Sequence, residues 1–160
     1  MKNLLLIIVV LMPLVIIYFS IAGCASKSKQ VAGLVSGKLA ECPKKPNCVV
    51  SENVDIDTND VHFIAPYKID NTVSLDDITQ VLLAMGADII EVQGNYIAAT
   101  FTSRFFRFVD DFDVRIEHDN KLVHIRSASR IGYSDFGVNR KRAEHFKKAL
   151  DKQLTLTGPS

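Results

Sequence analysis

Apolar residues divide the chain into two unlike parts. Residues 4–19 form an apolar run in which Pro13 is the one helix-bending residue. From residue 61 onward, short apolar segments alternate with polar ones at the spacings of half-buried strands and amphipathic helices. The pattern therefore predicts one hydrophobic N-terminal helix and one globular domain.

The first helix of the domain is predicted over residues 73–86. Ser74 is a good N-cap, and Asp77 stands at the third helical position, which is a variant of the capping box. Gly86 is placed to end the helix. The apolar stripe consists of Leu75, Ile78, Leu82 and Met85.

Five strands are predicted around this helix. One precedes it at residues 61–69, and Pro66 places that strand at an edge of the sheet. The others follow the helix and turn at glycine, asparagine and aspartate pairs. Their segments are residues 87–106, with a turn at Gly94-Asn95, and residues 111–118 and 121–131, joined through Asp119-Asn120.

A second amphipathic helix is predicted over residues 138–154. The element order β-α-β-β-β-β-α is typical of an α+β domain with an antiparallel sheet of about five strands. Because an antiparallel sheet can leave one face in water, both helices are expected to pack on the same face.

Alternation along the strands predicts what each face of the sheet carries. The core face is expected to hold Ile97, Ala99, Phe101, Phe105, Phe112, Val114, Ile116, Val123 and Ile125. The opposite face is expected to hold Thr100, Thr102, Arg104, Asp113, Arg115, Glu117, His124, Arg126 and Arg130. This second face is either a cross-strand ladder of opposite charges or a basic surface on which Arg104, Arg126 and Arg130 bind an anion.

The N-terminal 23 residues are typical of a bacterial lipoprotein signal peptide. Lys2 supplies a positive charge, the apolar run follows, and Ala22-Gly23 place two small side chains before Cys24. The pattern predicts that Cys24 is acylated and that the preceding residues are removed. The alternative is an anchor helix that is retained, since the length of the apolar run approaches the roughly 20 residues of a helix that spans a bilayer.

Both interpretations place the domain in the cell envelope, tethered to a membrane and facing the periplasm or the exterior. Ala25, directly after the cysteine, favours the outer membrane if the cell has one. The predicted organisation is a signal peptide or anchor over residues 1–23, a flexible tether over 24–40 and a single α+β domain over 41–160.

Two further cysteines, Cys42 and Cys48, are separated by five residues that include two prolines. An exported chain with two nearby cysteines favours a disulfide. Metal binding is the alternative, but the spacing is not that of a zinc motif and no pair of ligands follows. No metal or cofactor is therefore predicted.

The formal net charge is +1. Nucleic-acid binding needs a clearly basic domain with interleaved aromatic residues, so this class of partner is not expected. Acidic residues are concentrated in residues 49–95 and basic residues in residues 121–148. The two regions are expected to pair within the protein, or else the basic one faces an anionic small molecule or lipid headgroup. The candidate ligand-binding residues are Arg104, Arg126, Arg130, Asp135, Asn139 and Arg140.

Catalytic motifs are not evident in the sequence. No GxSxG or HExxH segment occurs. No catalytic residue is therefore assigned. An enzyme stays open as an alternative, in which Asp110 or Asp135 acts as a base and Arg130 or Arg140 stabilises negative charge.

Three segments of the chain resemble the "domain of unknown function 1499" family of bacterial envelope and plastid proteins. They are residues 42–51, residues 95–116 and residues 123–142, and the most specific blocks are FRFVDD (106–111) and RSASRIGYSDFGVNR (126–140). The resemblance covers residues 40–150. It implies an envelope location and no particular activity, and it assigns no catalytic residue.

The sequence thus favours a cell-envelope lipoprotein with a non-catalytic binding or scaffolding domain. An envelope hydrolase or isomerase that uses Asp and Arg residues is the second hypothesis. A single-pass structural protein anchored by its N-terminal helix is the third. The partner expected in every case is a membrane; no protein partner is specified by the sequence.

Overall fold

The computed structural model describes residues 2–52, 60–69 and 73–157. Its helices are α1 (Lys2–Lys27), α2 (Leu75–Ala84) and α3 (Val138–Thr157). Its strands are β1 (Leu34–Val35), β2 (Lys38–Leu39), β3 (Cys48–Val50), β4 (Tyr67–Lys68), β5 (Asp88–Gln93), β6 (Tyr96–Thr102), β7 (Val109–Glu117) and β8 (Leu122–Ser129).

The main sheet is antiparallel, and its strands follow the order β3-β8-β7-β6-β5, with β4 also paired to β8. The predicted α+β class and the order β-α-β-β-β-β-α are confirmed by β4 through α3. The sheet has six described strands, because β3 adds to the β8 side. The strand predicted at residues 61–69 shortens to β4, which begins directly after Pro66, a residue without an N–H for a ladder.

Helices α2 and α3 cover one face of the sheet, as predicted. The capping box of α2 is present: the amide of Asp77 donates to Ser74 Oγ at 3.1 Å, and the amide of Ser74 donates to the Asp77 carboxylate at 3.0 Å. Phe112 of β7 and Phe146 of α3 are fully buried, with ring centroids 5.3 Å apart. The apolar core therefore lies between these helices and the sheet.

The opposite face of the sheet is also buried, which corrects the expectation that it faces water. A covering segment, residues 31–42, packs over it and contains the β1–β2 hairpin. Leu39 in this segment is 0% exposed and packs with Val50, Tyr96 and Ala98. The strands of this segment are only two residues long, too short for an alternating pattern to predict this second layer.

Two residues predicted on strand faces lie in a loop. β6 ends at Thr102, and residues 103–108 connect it to β7. Phe105, predicted in the core, is 86% exposed, so that prediction is wrong. Arg104 is exposed beside it and does not reach the charged face. The alternation of side chains applies only while the strand continues.

The disulfide between Cys42 and Cys48 is confirmed, with their Cα atoms 5.6 Å apart. It links the covering segment to β3, which is hydrogen-bonded to β8. Oxidation therefore fixes the covering segment to the edge of the main sheet.

Helix α1 meets the domain through its last turns. Gly23 packs so closely on the carbonyl of Phe106 that a Cβ atom there would overlap the oxygen. Ser26 is fully buried, and its Oγ accepts from the amide of Val109 at 3.0 Å. Part of the segment predicted as a flexible tether is therefore packed against the domain.

The side chains of α1 are described at residue 9 and residues 11–27. Over these residues and the other described helices, no helix has the length and apolarity needed to cross a membrane.

Candidate functional site

The face under the covering segment carries a ladder of buried ion pairs. At its centre, Asp113 is 0% exposed and accepts from Tyr96 Oη at 2.6 Å and from Arg126 Nη1 at 3.1 Å. Burial raises the pKa of Asp113 above its usual range, although the Tyr96 hydroxyl and the Arg126 guanidinium oppose this. Burial and the neighbouring Asp113 also raise the pKa of Tyr96.

The second rung joins the main sheet to the chain that precedes residue 53. Arg115 donates through Nε to Glu52 Oε2 at 3.0 Å and through Nη2 to Oε1. Glu52 also accepts from the amide of Leu39 at 2.9 Å, so it holds the covering segment in place. The hydrogen bond to Glu52 raises the pKa of Arg115, and the guanidinium stays charged.

The third rung connects the sheet with the end of α1. Arg130 donates to Asp111 Oδ1 at 2.8 Å and to the carbonyl of Ser26 at 3.2 Å. Burial is the largest effect on Asp111 and raises the pKa of its carboxyl, while Arg130 opposes this. Arg126 and Arg130 are thus each paired with a buried carboxylate of the ladder.

Asp135 and Asn139 organise the corner where β8 leads into α3. The Asp135 carboxylate accepts from the amides of Gly137 at 3.0 Å and Asn139 at 2.7 Å, so it caps the helix. The Asn139 side chain is buried and bonded to Ser127, Ser129 and the carbonyl of Asn47. Both residues therefore fix the path of the chain around this corner.

The six predicted ligand-binding residues do not meet in one place. Arg126 lies under the covering segment, whereas Arg140 donates to the carbonyl of Val61 at 2.8 Å. Arg104 is exposed in the loop of residues 103–108. Only Asp135 among the six lines the cavity described next. Arginines that are close in sequence were separated because β8 and α3 point them in different directions.

A cavity of about 360 Å³ lies between α1, the loop of residues 103–108 and the corner before α3. Its lining is mainly apolar. The lining residues are Tyr18, Phe19, Ala22, Ser103, Phe108, Asp110, Ser129, Ile131, Gly132, Ser134, Asp135, Phe136, Val138 and Arg142.

One ion pair supplies charge to this apolar cavity. Arg142 Nη2 donates to Asp110 Oδ2 at 2.9 Å, and the two side chains are only 15% and 14% exposed. Arg142 Nη1 donates to Asn139 Oδ1 at 2.9 Å, and its guanidinium lies 4.7 Å from the centroid of the Phe101 ring. The pair is thereby held rigidly at the cavity wall.

Pattern analysis considered Asp110 as a base but missed Arg142. The usable signal is its position one helical turn after Asn139, which places both side chains on the same side of α3. Nothing in the sequence pairs Arg142 with Asp110, since that contact depends on how α3 packs against β7. The apolar wall from Phe108 and Ile131 was missed for the same reason.

The two carboxylates on the cavity wall have hydrogen-bond partners within the protein. Asp110 is already engaged with Arg142, and Asp135 with two helix amides. Histidines with side-chain contacts lie elsewhere: His124 bonds to Glu117 at 3.0 Å and His62 to the carbonyl of Cys48 at 3.0 Å. Within residues 2–52, 60–69 and 73–157, no three His, Cys, Asp or Glu side chains are grouped to hold a metal ion.

A family model described as "Protein of unknown function (DUF1499)" matches residues 38–150. The chain belongs to this family. No curated protein shows significant similarity to it. The matched region of the DUF1499 domain contains the charge ladder, the corner and the Asp110–Arg142 pair, and it excludes α1 and Ser26. The two sequence blocks at residues 106–111 and 126–140 come together on the wall of the cavity.

Proposed function

We propose that this protein is a cell-envelope lipoprotein whose DUF1499 domain binds, without catalysis, an amphiphilic ligand with a polar or anionic headgroup. The observation that carries the proposal is the Asp110–Arg142 ion pair in a mainly apolar cavity beside the end of α1. The expected location is the periplasmic or external side of a membrane, and the outer membrane in a cell that has one.

Support for the tether comes from the N-terminal sequence and from the disulfide. Cys24 is exposed and follows two small residues, as acylation requires. The Cys42–Cys48 disulfide is the chemistry of an oxidising compartment outside the cytoplasm. Acylation with more than one chain would anchor the domain stably.

Removal of residues 1–23 has a direct consequence for the cavity. Tyr18, Phe19 and Ala22 form one of its walls, and they would leave with the signal peptide. The remaining lining, which includes Phe108, Ile131 and Val138, would then open beside the acylated residue 24. An apolar chain of a lipid is the ligand chemistry that fits such a groove.

The ligand headgroup is expected to meet Asp110 and Arg142. This pair is balanced in charge, so it favours a headgroup that hydrogen-bonds to both members over a small, highly charged anion. Arg126 and Arg130 are neutralised by buried carboxylates and do not add positive charge to the cavity. A lipid is therefore expected to bind in this cavity, and free phosphate is not.

The test is native mass spectrometry of the protein expressed from the whole sequence, processed in the cell and purified from membranes in mild detergent. The variant Ile131→Trp fills the cavity, and Ile90→Trp makes the same change at an exposed position of β5. We expect a lipid adduct on the wild type and on Ile90→Trp, and its loss in Ile131→Trp. Phosphatidylglycerol is expected to replace the adduct, and inorganic phosphate is not.

A second variant pair tests the headgroup contact. Arg142→Gln removes the charge at the cavity wall, and Lys141→Gln removes an exposed charge from the same turn of α3. Arg142→Gln is expected to weaken lipid binding about tenfold or more, and Lys141→Gln to leave it unchanged. Equal adducts on all variants, or turnover of the bound lipid to a product, would overturn the proposal of non-catalytic binding in this cavity.

A further inference from the structure

Four aromatic side chains project from the end of the domain that lies next to Cys24. Phe105 is 86% exposed, Phe136 is 91% exposed and Tyr133 is 72% exposed. Phe106 is 38% exposed, and the rest of its ring packs at 5.0 Å from that of Phe19 in α1. We call this surface, with Arg104 and Arg107, the aromatic rim.

The aromatic rim makes no evident contribution to the fold. Phe105 and Phe136 lie outside the core cluster, in two loops at the same end of the sheet. Exposed aromatic residues that are grouped in this way mark interaction surfaces, whereas single exposed apolar residues do not. Removal of Phe19 with the signal peptide would expose Phe106 as well and enlarge the surface.

The charges on the rim are uncompensated within the described parts of the chain. Neither Arg104 nor Arg107 forms an ion pair or a side-chain hydrogen bond with another described residue. Aromatic rings flanked by arginine are the composition of protein surfaces at the membrane interface, where rings sit at headgroup depth and guanidinium groups meet phosphate.

The end of α1 places Cys24 close to the aromatic rim. Ser26 is bonded to Val109 and Arg130, and it follows Cys24 by two residues, a reach of about 7 Å. Gly23 touches the carbonyl of Phe106. An acyl chain on Cys24 would therefore leave the protein beside the loop of residues 103–108, with no long linker in between.

We propose that the aromatic rim inserts into the interfacial layer of an anionic membrane, with Phe105 and Phe136 at headgroup depth and Arg104 and Arg107 on lipid phosphates. This inference rests on the membrane tether of the proposed function. It adds a fixed orientation, in which the open side of the cavity faces the lipid from which its ligand comes.

The chain contains no tryptophan, so a single Trp reports on one position. Phe105→Trp places it in the rim, and His118→Trp places it in the exposed turn at the other end of the sheet. Each full-length variant is expressed in cells so that processing occurs, and is then reconstituted into vesicles of phosphatidylcholine and phosphatidylglycerol with brominated acyl chains. Flotation measures the tether, and tryptophan emission and quenching measure contact with lipid.

We expect both variants to float with the vesicles. Emission of Phe105→Trp is expected at shorter wavelength than that of His118→Trp, with quenching by brominated lipid that is several-fold stronger. Adding Arg104→Gln and Arg107→Gln is expected to abolish the further increase in quenching that phosphatidylglycerol produces. Phe105→Trp in vesicles of the same lipids without bromine is the control for quenching.

Three results would overturn the inference. Flotation with equal quenching of the two variants would show that the tether holds the protein on the vesicle but that the rim does not contact lipid. A blue-shifted Phe105→Trp emission without quenching by brominated lipid means that protein, in the form of a second copy, covers the rim. Failure of both variants to float would contradict both the membrane tether and the membrane contact of the rim.

Discussion

Arg126 Nη1 lies 3.1 Å from Asp113 Oδ2, and both side chains are almost completely buried. Oppositely charged residues on neighbouring strands are usually placed on a solvated face, where each pair contributes little. Here the covering segment turns that face into an interior. The Asp113–Arg126 pair therefore lies between two packed layers and is part of the fold.

Breaking this pair is expected to be costly. Asp113→Asn leaves a buried guanidinium without its ion partner, and Arg126→Met leaves a buried carboxylate, so each should lower the free energy of unfolding by about 3–5 kcal/mol. The double variant is expected to cost clearly less than the sum of the two, because neither charge is then left alone. Denaturant unfolding of the four proteins measures this coupling.

Glu144→Gln is the control, since the Glu144 side chain is 47% exposed and its carboxylate pairs with Lys147 Nζ at 2.9 Å on the surface of α3. Its cost should stay under about 1 kcal/mol. Strictly additive effects of Asp113→Asn and Arg126→Met would show that the two charges do not stabilise each other.

Glu117 gives the fold a component of stability that depends on pH. The hydrogen bond from His124 lowers the pKa of the Glu117 carboxyl below its ordinary value of 4.5. The unfolded chain therefore takes up this proton first as pH falls, so the contribution is present above pH 4.5 and is lost as pH drops through the folded pKa. Glu117→Gln is expected to lower Tm at pH 7 and to leave it unchanged near pH 2.5.

Thermal unfolding between pH 2.5 and 7 makes this comparison, with Glu91→Gln as the control at an exposed position of β5. A loss of Tm in Glu117→Gln that is the same at every pH would mean that packing, and not the carboxylate charge, accounts for the effect.

Gly23 separates the two interpretations of the N-terminal helix. A Cβ atom at this position would overlap the carbonyl oxygen of Phe106. If residues 1–23 are removed, as we propose, Gly23→Ala is processed normally, because alanine is also small, and the mature protein keeps its Tm. Residue 26 stays in the mature chain. Ser26→Ala loses the hydrogen bond from the Val109 amide and should lower the free energy of unfolding by about 1 kcal/mol.

The comparison is made on protein purified from membranes. A fall in Tm in Gly23→Ala that matches or exceeds that of Ser26→Ala would indicate that α1 stays attached and packed on the loop of residues 103–108.

Local chemistry was sufficient to predict much of the fold. The capping box at Ser74, the turns at Gly94-Asn95 and Asp119-Asn120, and the period-2 strands specify most of the sheet and both domain helices. The disulfide was predicted from the expected export of the chain and from the short spacing of the two cysteines. These features depend on residues that are close in the chain.

Contacts between distant segments were not predictable in this way. Glu52 lies outside every periodic segment, yet it is the partner of Arg115. Leu39 is buried by tertiary packing, and the two-residue strand that contains it is too short to show a predictive pattern. The Asp110–Arg142 pair likewise requires the docking of α3 on the sheet, so the cavity became visible only in three dimensions.

Intact mass of the chain purified from membranes tests the central claim, that the domain is held on the membrane by an acylated Cys24. We predict a mass that corresponds to residues 24–160 plus a diacylglyceryl group and any further acyl chain, and a Cys24→Ser variant that keeps the full sequence without lipid. An unmodified wild-type chain that begins at or near Met1 would contradict the account.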